Sequence, residues 1–76
     1  MNLVVALDEL HKARQFVADG EKCMLVQRKM VDRLERQGRD SLGAILFLEY
    51  LEEMQDQYVA HLDRLNQQVM GILKED

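Results

Sequence analysis

The sequence predicts an all-α fold, an antiparallel two-helix hairpin of coiled-coil type that dimerises into a four-helix bundle. Three observations carry that expectation. The 76 residues contain no proline and no tryptophan, and Leu, Met, Gln, Glu and Arg, all good helix formers, recur throughout. Apolar residues repeat at heptad spacing in both halves of the chain. A single interruption, Gly38-Arg39-Asp40-Ser41, falls almost at the centre.

Helix one is predicted over about residues 3–37. Counting in sevens from Leu3 places Leu3, Leu10, Val17, Met24 and Val31 at position a, with Ala6, Ala13, Gly20, Gln27 and Leu34 at position d. The phase runs unbroken through Asp19-Gly20, so a continuous helix is expected at a cost of about 1 kcal/mol for the interior glycine. The competing reading ends a first short helix at that glycine. The turn is expected at about 38–41: Gly38 can take the left-handed conformation that ends a helix, and Asp40 or Ser41 can cap the next one.

Helix two, about 41–74, carries Leu48, Gln55, Leu62 and Val69 at a and Ala44, Leu51, Tyr58, Leu65 and Ile72 at d. A turn centred near residue 39 sets Leu10 opposite Val69, Ala13 opposite Leu65 and Gly20 opposite Tyr58. In that register small side chains face large ones, as dense packing requires, and Gly20 makes room for the Tyr58 ring. Gln27 and Gln55 occupy core positions in neighbouring layers. They either bridge one another and fix the register, or extend outward along the edge of the seam.

Length, charge and cysteine content limit what such a hairpin can be. A 76-residue chain forms at most one domain, here 1–76, and needs help from a partner if no disulfide is available. Cys23 is the single cysteine, which excludes an internal disulfide and fits a reducing cytoplasmic setting. The opening MNLVVALDEL lacks a basic leader region, and the longest apolar stretch, Leu42 to Leu48, is far shorter than the roughly 20 residues of a membrane span. Net charge is -4 and unevenly distributed. Residues 21–40 hold six basic and four acidic side chains, whereas 41–63 hold five acidic side chains and no Lys or Arg. That acidic second helix argues against binding at a membrane surface.

The two flanks of the hairpin differ. On one side Arg28 is expected to pair with Glu52, Arg14 lies near Asn66, and Leu7 and Leu73 close the far end. The other side collects Phe16, Cys23 and Met30 from helix one with Phe47, Met54 and His61 from helix two, and Val26 and Tyr50 lie further out. An apolar strip of this breadth predicts a homodimer interface.

The sequence carries no constellation for chemistry. Glu49, Glu52, Glu53 and Asp56 cluster on helix two, yet the Glu-x-x-His pair of bundle di-metal sites is missing, so the acids read as a solvated face and no metal or cofactor is expected. Asp8 and His11 read as surface pairing. Cys23 is expected beside Met54 with no histidine to activate it, and no catalytic group is predicted. Arg28, Lys29, Arg33, Arg36 and Arg39 form a basic patch near the turn, interleaved with Asp32, Glu35 and Asp40, which favours ordinary i to i+4 pairing. With no interleaved aromatic and an acidic chain overall, nucleic acid is the weaker partner reading.

The string GEKCMLVQRKMVDRLERQGRDSLGA resembles a pattern in short uncharacterised bacterial helical-hairpin proteins, carried here by Gly20, Glu21, Gln27, Val31, Leu34, Glu35, Gly38, Asp40, Ser41 and Ala44. The resemblance covers about a third of the chain and implies a hairpin without a known activity. In outline the fold is also similar to small plasmid RNA-binding hairpin dimers, none of whose functional residues can be matched. The expected function is therefore a non-catalytic protein-protein interaction or scaffolding module acting as a homodimer. Its partner-binding surface is expected at the tip and on the acidic face, with Arg28, Lys29, Arg33, Arg36, Arg39, Glu49, Glu53 and Asp56. The alternative is a nucleic-acid-binding hairpin dimer using the basic patch.

Overall fold

A computed structural model describes residues 2–75; Met1 and Asp76, the ends of the expected domain, lie outside it. Two helices, α1 (Leu3–Arg36) and α2 (Leu42–Lys74), pack along their length as an antiparallel hairpin. The result is a rod of 60 × 14 × 13 Å. Its radius of gyration is 17.3 Å, against about 11 Å for a compact domain of this length. A rod of two helices has room for one seam and no interior layer. No large side chain is wholly buried among the described residues.

The heptad phase places that seam. Every a and d position from Leu3 to Leu34 and from Ala44 to Ile72 is buried or half-buried. Elsewhere only Glu9, Ser41, Ile45, Met54 and Asn66 are even half-covered among the described residues. The most tightly closed segment is at the open end of the hairpin, where Ala6, Leu10, Ala13, Leu65 and Val69 cluster with Leu3, Leu62 and Ile72 against them. Here alanines on α1 let the branched side chains of α2 approach closely.

Helix α1 starts on a cap that lies ahead of the heptad series: Asn2 Oδ1 accepts the Val5 N–H at 2.8 Å. It runs through Gly20 without a break. It ends in a Schellman motif, with Gly38 at φ +67°. The Gly38 N–H donates to the Glu35 carbonyl at 3.1 Å and the Arg39 N–H to the Leu34 carbonyl at 2.9 Å. Of the two caps expected for α2, Asp40 acts and Ser41 does not: Asp40 Oδ1 accepts the Leu42 N–H at 3.0 Å, while the Ser41 side chain makes no capping bond.

The register differs from a turn centred on residue 39. Gly20 lies against the Gln55 carboxamide, not the Tyr58 ring, and a Cβ at residue 20 would overlap Gln55 Oε1. Tyr58 stacks instead on Phe16 at 5.6 Å between ring centroids. Helix α2 is thus displaced by about one turn relative to the expected pairing. The displacement has a clear gain. Gln55, only 7% exposed, donates through Nε2 to the Val17 carbonyl at 2.8 Å, and such a side chain can lie flat on a helix backbone only where the facing residue lacks a Cβ.

Gln27, similarly buried, donates to the Ala44 carbonyl at 3.0 Å. Each glutamine therefore reaches across to the opposite backbone, and neither the mutual bridge nor the outward extension describes them. Gln55 Oε1 is buried without a hydrogen-bond partner, so the lock costs something as well as fixing position.

Two outcomes follow for stability, both read by thermal circular dichroism at fixed protein concentration. Gly38→Ala places a Cβ in the left-handed region and should cost about 1–2 kcal/mol, lowering Tm by at least about 4 °C. Gly20→Ala should gain about 1 kcal/mol of helix propensity in a Gln55→Ala background, and should give no gain when Gln55 is present. Strict additivity of the two substitutions would show that the residues are not interlocked.

Candidate functional site

The apolar side of the rod is built from heptad positions flanking the seam, which point out of the two-helix interface and find no third element to cover them. Phe16, Met30, Phe47 and Tyr50 are each about half exposed, and Val26 more so. Two aromatic stacks mark the ends of the strip, Phe16 with Tyr58 and Phe47 with Tyr50, the latter at 6.2 Å between centroids. Between them the surface is hollow. A groove of about 340 Å³ is lined by Lys22, Cys23, Val26, Gln27, Phe47 and Leu51. A second, of about 220 Å³, continues past Cys23 to Met54, Tyr58 and Phe16. Cys23 is exposed and lies where the grooves meet.

This brings together four of the six residues expected at a dimer face, Phe16, Cys23, Phe47 and Met54. Met30 and His61 are exposed and line neither groove. Tyr58 takes the place of His61 at the far end, a residue that heptad counting assigns to the seam alone. Its second role follows from the register, since only the displaced pairing sets it beside Phe16. Val4, Leu7, Leu25, Leu46, Val59, Met70 and Leu73 are exposed as well. The strip is distinguished from these by its stacked rings and its continuous hollow.

The charged surfaces are less ordered than the sequence implies. Among the described residues the only ion pairs are those of Lys12, with Asp8 at 3.1 Å and Glu9 at 3.8 Å. The Asp8 carboxylate, hydrogen-bonded to the ammonium, and the nearby Glu9 charge hold Lys12 above the usual lysine range. Asp8 therefore pairs with Lys12. The expected bridge from Arg28 to Glu52 is absent, and so is the i to i+4 pairing expected around the turn. Both involve long exposed side chains, for which the Coulomb gain in water barely offsets the entropy of holding them. Lys29, Arg33 and Arg36 line a shallow groove with Asp32 and Gln37, while Arg28 and Arg39 are exposed beyond it. Glu49, Glu53 and Asp56 stand exposed along α2.

An open apolar hollow of this kind offers a surface for binding. No histidine lines either apolar groove, and the charged neighbours of Cys23 there are Lys22 and Asp19. Among the described residues no group of three or more His, Cys, Asp or Glu side chains is placed to hold a metal ion. No helix among them is long and apolar enough to cross a membrane. Comparison with protein-family models, curated proteins and solved structures returned no match to this chain.

Proposed function

We propose that this chain is a non-catalytic protein-binding or scaffolding module that works as a homodimer, two hairpins closing their apolar strips against each other as a four-helix bundle. The observation that carries this reading is the continuous strip from Phe16 to Phe47, left open by a fold that has nothing else to cover it. Magnitudes agree. The chain exposes 5864 Å², whereas a compact monomer of 8.9 kDa exposes about 4,800 Å². That excess of roughly 1,000 Å² is close to the 800 Å² each partner contributes to a standard interface. A symmetric pair is the simplest way to remove it, because one two-fold axis covers both copies at once.

The basic tip and the acidic face of α2 stay outside such an interface and are the surfaces open to a further protein. The lone exposed thiol suits a reducing, cytoplasmic setting. The groove lined by Lys29, Arg33 and Arg36, cations without ion-pair partners, favours nucleic acid as the second reading. Gel retention of RNA or DNA at low salt, lost at moderate salt, would support that reading, and no retention at low salt would remove it.

Phe47→Asp or Met30→Asp places a charge in the strip and should shift sedimentation toward monomer with a loss of helicity. If both variants sediment as the parent does, this face is not the interface. Cys23 should likewise react more slowly with a thiol reagent as protein concentration rises through the dimerisation range.

A further inference from the structure

We infer that the two hairpins pair with their tips at the same end of the bundle, α1 of each copy lying on α2 of the other. This rests on the homodimer proposed above and names its geometry. Two closed two-fold arrangements bring the strip onto its copy. An axis along the rod keeps the tips together and sets α1 against the partner's α2. An axis across the rod sends the tips apart and sets α1 on α1 and α2 on α2. The strip is centred near Cys23, midway between its two aromatic ends, so the transverse axis would have to pass there.

Charge separates the two. Over the stretch the strip occupies, from Phe16 to Met30, α1 carries Lys22, Arg28 and Lys29 against Asp19 and Glu21. Helix α2 from 42 to 63 carries only acids. Packing like on like would put the acids of α2 beside their own copies, whereas packing α1 on α2 sets those acids against a helix of slight positive charge.

The pair nearest the strip shows this most sharply. Lys22 borders the groove at Cys23, and Glu53 follows Tyr50 by one helical turn on the same flank. Gly20 abuts Gln55, and Cys23 shares a groove with Leu51 and Met54, so Lys22 and Glu53 stand at nearly the same height on the rod. An axis along the rod conserves height. It brings Lys22 beside the partner's Glu53, and Glu53 beside the partner's Lys22. The transverse axis near Cys23 brings Lys22 toward its own copy and Glu53 toward its own copy.

A spin label at the tip, as Arg39→Cys in a Cys23→Ser background, reads the arrangement once sedimentation has shown that the labelled protein is a dimer. The tip-to-tip distance should fall below about 30 Å, the span of two adjacent helix pairs with label arms. A distance of about 50 Å, twice the rise from Cys23 to the tip at about 1.5 Å per residue, would overturn the inference and leave the dimer standing. Sedimentation as a monomer would overturn the dimer and the inference with it. Charge reversal gives an independent readout: Lys22→Glu and Glu53→Lys should each weaken dimerisation by about threefold or more, and the double variant should recover it. A double variant as weak as the two losses combined would contradict the pairing.

Discussion

The rod depends on one close approach, the Gln55 carboxamide lying on the backbone of α1 where Gly20 has no side chain. A two-stranded helical hairpin has a single seam, and apolar packing along a seam is tolerant of sliding. Leucine, valine and alanine layers accept one another in several registers at similar cost. A buried amide does not, because its N–H must find an acceptor or lose about 1–3 kcal/mol. Val17 supplies that acceptor to Gln55, and Ala44 supplies one to Gln27. Two directional bonds, one above the other along the seam, hold the helices where apolar contact alone would leave them free. The interior glycine that weakens α1 as an isolated helix is what makes the lock possible.

From that register the outer surface follows. Setting Gly20 against Gln55 carries Tyr58 to Phe16 and opens the hollow around Cys23. Sliding α2 by a turn would break the Phe16 stack and move Met54 away from Cys23. The apolar strip is therefore a product of the same constraint that holds the seam, and a dimer built on it inherits its dependence on Gln55. Lys22 and the acidic face of α2 are fixed at nearly equal heights in the same way.

Much of this architecture is legible in the residues. The heptad phase locates the seam to the residue, Gly38 marks the left-handed turn, and the unbroken phase through Gly20 shows that α1 continues. Phe16, Cys23, Met30, Phe47 and Met54 are readable as an open face because each lies one position off the seam. The register is not readable from size alternation. Shifting by half a heptad exchanges a-on-a layers for a-on-d layers and still sets small against large, so volume does not choose between them. The polar lock does choose, and it depends on where a long side chain finds a carbonyl. Ion pairs such as Arg28 with Glu52 are equally hidden, since spacing permits them and solvation decides. Asp40 and Ser41 are both competent caps in sequence, and the turn geometry alone selects Asp40.

The register is the claim on which the fold, the strip and the assembly rest, and proton distances within one chain measure it directly. In a sample mixed from labelled and unlabelled chains, the intramolecular nuclear Overhauser spectrum should join the Gly20 α-protons to the Gln55 carboxamide and the Phe16 ring to that of Tyr58. Cross-peaks from Gly20 to the Tyr58 ring, with none to Gln55, would contradict the account.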